Sequence, residues 1–235
     1  MINFDSNDLQ KLYLAYFGRP GDPSGITYWL SPVNQLLTLK DISNELSRQD
    51  EYLKNVPSEK SFEFKINKVY MNIFSRKADF NGLNYWMKMI DSNSYKISDI
   101  VYNLVFFKKK SYPINFEQEE LDKIILKNKI LASELFTQQI SKSITLVKLY
   151  QPDSLSPWKP GNVLIKVSHF ISNINQQKVD IEDVNELINS LSDFSIDMLT
   201  QPAIEIDNIT LSIPIHSLED RSLTKKFTNK VINIT

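Results

Sequence analysis

Cysteine is absent from all 235 residues, which removes disulfides, thiolate metal sites and cysteine nucleophiles at once. That absence is compatible with a secreted bacterial protein built without disulfides. Histidine is nearly absent as well. His169 falls within an apolar helical pattern and His216 lies beside a strand-like region, so neither stands where a base or a ligand is expected. No H-x-x-x-H, G-x-S-x-G, P-loop or dinucleotide fingerprint occurs. No apolar run approaches the ~20 residues of a membrane span, so no transmembrane segment is expected. The opening "MINFDSNDLQKLYLAYF" lacks a basic region followed by a long apolar one, so no secretory leader is expected either. An excess of one charge is also missing: 27 Lys+Arg against 28 Asp+Glu leave a net −1, too little field to hold a polyphosphate, and nucleic acid is not an expected partner. The local exception is Lys108-Lys109-Lys110, which reads either as a solvated helix end or as a contact for anionic head groups.

Glycine is scarce, and three of its five occurrences fall in "GRPGDPSGITYW", residues 18–29. The reason emerges when "KLYLAYFGRPGDPSGITYWL" (11–30) is laid on "KVYMNIFSRKADFNGLNYWM" (68–87). At a constant offset of 57, eight of the twenty positions are identical: Lys11/Lys68, Tyr13/Tyr70, Phe17/Phe74, Arg19/Arg76, Asp22/Asp79, Gly25/Gly82, Tyr28/Tyr85 and Trp29/Trp86. An internal repeat of this kind implies one conformation used twice.

The conformation follows from the residues. Leu12, Tyr13, Tyr16 and Phe17, like Val69, Tyr70, Ile73 and Phe74, have helical spacing. Gly18 suits the left-handed residue that closes a helix. Asp22 before Pro23 reads as the N-cap and first position of the next helix, and Asp79 has the same place. Gly25 and Gly82, one turn in, allow another backbone to approach. Tyr28-Trp29 and Tyr85-Trp86 then pack back on the preceding helix. A third segment follows each corner: "LKDISNELSRQDEYL" (39–53), capped by Asp41 or Ser43, and "ISDIVYNLVFFKK" (97–109), with Ile42/Ile100 and Leu46/Leu104 in register. Each repeat is thus three helices, about 9–53 and 66–110, within a region covering 1–112.

Residues 113–200 continue as helices. The stretch 116–150 has an apolar stripe at Leu121, Ile124, Ile125, Ile130, Leu131 and Leu135, 151–162 is a proline-rich linker, and helical pattern resumes at 163–174 and 180–194. Over 201–235 the period changes to two in "AIEIDNITLSIPI", with another strand expected in 225–235. So few strands make no sheet of their own, and the expectation is a mostly α protein whose short β segment begins a longer β-rich remainder.

Candidate chemistry is sparse. "DFNG" (79–82) opens like a calcium loop without its other ligands. Arg19 and Arg76 either pair with the capping aspartates and exposed helix carbonyls or face a polar or anionic sugar. The tyrosine–tryptophan pairs divide between core packing and a platform for a pyranose ring. Trp158, beside Lys159 in the proline-bounded loop, is the freer aromatic. No pair of carboxylates is singled out for glycan hydrolysis.

The pattern Y-x-x-x-F-x-R-x-x-D-x-x-G-x-x-Y-W, at 13–29 and 70–86, resembles a helical repeat family without assigned enzymatic activity. That family is found in bacterial surface-layer proteins and other proteins exported by the type I route. In layout the chain is similar to the N-terminal anchoring region of Gram-negative surface-layer proteins. The resemblance implies a non-catalytic, extracellular domain that binds the O-polysaccharide of lipopolysaccharide and neighbours other surface-layer subunits. It implies no cofactor here, with calcium confined to a β-rich remainder or bridging the lipopolysaccharide. The glycine–aspartate nonapeptides of such a remainder are absent from this chain. A similar resemblance, to linker proteins of light-harvesting antennae, implies a structural or assembly module instead. The motif carries no glycan-contacting residue with it, because its positions shape the corner.

Overall fold

The computed structural model describes residues 4–34, 36–92, 94–106, 115–151 and 161–200, from 192 onward as backbone alone. Its helices are α1 (Ser6–Phe17), α2 (Pro23–Trp29), α3 (Leu39–Leu46), α4 (Asp50–Asn55), α5 (Phe62–Phe74), α6 (Phe80–Asp91), α7 (Ile97–Val105), α8 (Phe116–Ile140), α9 (Ile144–Tyr150), α10 (Asn162–Asn173) and α11 (Ile181–Thr200). The chain is mostly helical, with no strand among the described residues. No helix among them is long and apolar enough to cross a membrane. The strands expected in 203–215 and 225–235 lie outside the described residues, as do Trp158, Lys159 and Lys108–Lys110.

Both copies of the motif fold alike where local chemistry governs. α1 closes at Gly18 with φ 65°, and α5 closes at the matching Ser75 with φ 57°. Left-handed backbone costs a residue bearing a Cβ about 1–2 kcal/mol. The first copy is tight for one: a Cβ on Gly18 would stand 3.0 Å from Asn72 Oδ1, and that amide would have to give by a few tenths of an ångström. The second copy has room, and Ser75 Oγ donates to the carbonyls of Ser172 and Ile174 at 3.2 and 3.4 Å. Asp22 and Asp79 then cap α2 and α6, accepting from the N–H of Gly25 at 2.7 Å and of Gly82 at 2.8 Å.

The third segment departs from expectation in the first copy. Residues 39–53 were expected to form one helix, but the chain breaks after Leu46 and restarts as α4, with Asp50 and Glu51 in its first turn. Ser47 Oγ donates back to Asn44 O at 2.6 Å, and the new helix swings Glu51 inward. Thr38, not Asp41 or Ser43, is the N-cap of α3; Asp41 reciprocates by accepting from Thr38 N–H at 2.8 Å. Asp99 does the same for Lys96 N–H at 2.9 Å, so the two third helices start alike. Ser43 is buried instead, hydrogen-bonded to Tyr16 Oη at 2.8 Å and donating to Ser98 O at 3.1 Å. That bond joins α3 to α7, one copy to the other.

The core centres on α1, which packs on α5, α8, α7 and α3. Leu9, Leu12, Leu14 and Tyr16 are fully enclosed, so α1 is buried nearly all round rather than on one stripe. Ile42, Leu46, Ile100 and Leu104 meet this core, as their matched register requires.

α8 corrects the sequence reading most sharply. Leu121, Ile124 and Leu131 of the expected stripe are exposed, and the buried face is Asp122, Leu126, Lys129, Ala132, Ser133, Phe136, Thr137 and Ile140. Several of these side chains are polar because they complete hydrogen bonds that the repeats leave open. α9 is separated from α8 by a turn at Ser141-Lys142, and α10 and α11 cover α8 and α9 from the other side.

Candidate functional site

The two corners account for the motif residues. Tyr13 Oη sits where a Cβ on Gly25 would be, and Tyr70 Oη would stand 3.2 Å from a Cβ on Gly82. The bare Cα therefore admits the motif's own tyrosine hydroxyl, not a backbone as the sequence suggested. Trp86 is 1% exposed and donates its Nε1–H to Tyr70 Oη at 3.0 Å. Trp29 is buried likewise. The tyrosines beside them differ: Tyr85 is half-buried, whereas Tyr28 is 56% exposed and meets Trp29 edge-on. Core packing thus holds for the tryptophans and fails for Tyr28.

Arg19 is buried. Its Nε and Nη2 donate to the two carboxylate oxygens of Glu51 at 2.7 Å each, and Nη1 donates to Pro20 O at 2.9 Å. Tyr13, Phe17 and Tyr150 surround the guanidinium. Burial alone would lower its pKa, but Glu51, Tyr150 and Asp22 more than offset that and hold it charged above the usual arginine range. Arg76 repeats the fork on Asp122, Nε to Oδ1 at 2.8 Å and Nη2 to Oδ2 at 2.6 Å, with Nη1 donating to Lys77 O. The capping aspartates are only secondary partners, at 3.7 Å for Asp22 and 3.8 Å for Asp79. Both guanidiniums are therefore committed within the fold, and the structure places neither on an open sugar-binding face.

Sequence reasoning missed the partners. Glu51 lies 32 residues from Arg19 and Asp122 lies 46 from Arg76, on different elements, so no local pattern points to them. A second pair was detectable. Gln10 Oε1 accepts from Gly21 N–H at 2.8 Å, and Asn67 Oδ1 accepts from Ala78 N–H at 3.0 Å, each closing its corner loop. These amides are also 57 apart, one position before the aligned window.

α8 links both corners. Thr137 Oγ1 donates to Gly21 O at 2.8 Å and accepts from Gln10 Nε2 at 2.9 Å. Lys129 Nζ donates to Asn72 O at 2.7 Å near the end of α5, with burial pulling the ammonium down to about pKa 8. Tyr150, from α9, donates to Pro20 O at 2.6 Å.

An open cleft with polar side chains at its rim lies elsewhere, between α10 and α11. A cleft of about 360 Å³ is lined by His169, Phe170, Asn173, Asn175, Gln177, Lys178 and Asp183 among others. Buried Ile174, Val179 and Leu187 form its apolar base. Its rim loop is held from below: Asn128 Nδ2 donates to the carbonyls of Asn175 at 2.9 Å and Gln177 at 2.8 Å. Asn175 Oδ1 accepts from Gln177 N–H at 2.8 Å, and Asp180 and Asp183 cap one another at the start of α11. The side chains of Gln177 and Lys178 have no hydrogen-bond partner among the described residues. Amides that both donate and accept, beside one aromatic ring, suit vicinal hydroxyls and the C–H face of a sugar. No cluster of three or more His, Asp or Glu able to hold a metal occurs among the described residues. No family model, curated protein or solved structure matches this chain.

Proposed function

We propose that this chain is a non-catalytic anchoring domain of a bacterial surface-layer protein that binds the O-polysaccharide of lipopolysaccharide outside a Gram-negative cell. The observation that carries the reading is the cleft between α10 and α11 with amides at its rim, held on a scaffold whose two motif arginines are paired within the fold. The motif resemblance supplies the polysaccharide class. Gln177, Asn175 and Lys178 meet hydroxyls and Phe170 covers a ring face. Trp158 and Lys159, from the linker before α10, are the further candidates. Each contact is weak, and many subunits held in one lattice turn weak binding into avidity. Export by the type I route belongs to the same reading.

The test is a pull-down of the full chain on smooth and on O-antigen-deficient lipopolysaccharide. Retention by the smooth form alone, reduced about tenfold in Gln177→Ala and in Trp158→Ala at unchanged thermal stability, is the expected result. Equal retention on both forms overturns the polysaccharide reading.

One observation favours a second reading, an assembly module contacting protein neighbours. Phe64 and Met71, two turns apart on α5, are 41% and 44% exposed and line a common cleft of about 430 Å³. Self-association in sedimentation that Phe64→Ser abolishes, without any glycan dependence, selects that reading.

A further inference from the structure

A third cleft, also of about 430 Å³, opens where α1, the end of α7 and α8 meet. Val105, Phe106, Leu126 and Ile130 form its floor, and Lys11, Lys123 and Lys127 stand round it with Asn7. Among the described residues no carboxylate lines it. Val105 and Leu126 are buried, so the floor is sealed against the core rather than leading into it.

The three lysines are not equivalent. Lys11 is held by Asp8 at 2.7 Å and lies over the Phe106 ring at 4.9 Å from its centroid. Lys123 reaches Glu120 at 2.7 Å and Glu119 at 3.3 Å. Lys127, one turn beyond Lys123, is exposed and has no ion-pair partner among the described residues. Lys11 and Lys123 are thus fixed by acids outside the lining, while Lys127 is open to a ligand. Exposed lysine–carboxylate pairs are weak, so these two ammonium groups are easily shared with an incoming anion.

A hydrophilic anion would leave the apolar floor unused, and a neutral alkyl chain would leave the lysines unused. We infer that this cleft binds an amphiphilic anion, a single acyl chain bearing a phosphate, with the chain on Val105, Phe106, Leu126 and Ile130 and the phosphate among Lys11, Lys123 and Lys127. This site is independent of the glycan cleft, and its occupant is a lipid phosphate rather than free phosphate.

Titration calorimetry on the full chain, with dodecyl phosphate below its micellar concentration, tests the inference. Dodecyl phosphate is expected to bind at one site, while inorganic phosphate and dodecyl maltoside at equal concentration bind at least about tenfold more weakly, each lacking half of the contact. Lys127→Gln, an exposed change that leaves the fold intact, weakens dodecyl phosphate about fivefold to tenfold, and raising salt weakens it further. Ile130→Gln weakens dodecyl phosphate and leaves inorganic phosphate unchanged. Equal binding of dodecyl maltoside refutes the role of the lysines. Equal binding of inorganic phosphate refutes the role of the floor. Indifference to Lys127→Gln, or no binding of dodecyl phosphate, refutes the site.

Discussion

Lys129 offers a direct measure of what α8 contributes. Its ammonium is fully enclosed and makes one hydrogen bond, to Asn72 O, with no carboxylate in an ion pair with it among the described residues. Burial lowers its pKa from 10.5 to about 8. Between these values the unfolded chain holds a proton that the folded chain has released, so stability rises with pH across that window. Below pH 8 both states are charged and the folded one carries the burial cost in full. The rise is cut short near pH 10, because burial raises Tyr13, Tyr16 and Tyr150, and Tyr52 to about 12, so that the unfolded chain loses those protons first. Lys129 by itself adds on the order of 2 kcal/mol between pH 8 and 10, and the four tyrosines take back much of that as the pH nears 10, so the net rise is about 1 kcal/mol. Urea unfolding followed by helical circular dichroism at half-unit pH steps measures it. Lys129→Met removes the lysine's contribution, so its stability falls as the pH nears 10 and the difference from the unaltered chain grows across the range. At pH 7 it changes stability little, since relief of the buried charge, on the order of 3 kcal/mol, is offset by an unpaired Asn72 carbonyl worth about 1–3 kcal/mol. A pH profile of the same shape in the unaltered chain and in Lys129→Met refutes the reasoning.

Other outcomes follow from the corners. Trp86→Ala lowers stability by roughly 3–5 kcal/mol in chemical unfolding, from lost burial and a tyrosine hydroxyl deprived of its donor, whereas Tyr28→Ala changes it by less than about 1 kcal/mol. Arg19→Met costs about 3–5 kcal/mol by stranding Glu51, and adding Glu51→Leu recovers most of that loss; a double variant no better than the single one excludes a stranded charge as the cause.

The corner was legible because its chemistry is local. Asp22 and Asp79 act three residues ahead, Tyr13 and Tyr70 reach a glycine twelve residues on, and the same spacing occurs twice. The break between α3 and α4 was not legible, since its cause is tertiary: Glu51 must turn toward a buried arginine. Nor was the inward face of α8, where Asp122, Lys129 and Thr137 displace the exposed Leu121, Ile124 and Leu131. Hydrophobic periodicity assumes that the buried side is the greasy side. It fails where a helix must answer the polar groups of others. The α10–α11 cleft left no motif, because amides at a loop rim carry no periodicity.

The different origins of the two counter-ions set a limit on how this architecture grows. The first corner is neutralised from inside its own repeat by Glu51, but the second borrows Asp122 from the helix that comes after. Cut away after Val105, the second unit would keep its shape-giving residues and lose the acid that balances Arg76. Adding a third unit behind it would demand a fresh acid at the junction. The tandem is accordingly a closed pair with a fitted lid, not a segment of an extendable array, and transplanting it intact means carrying α8 along.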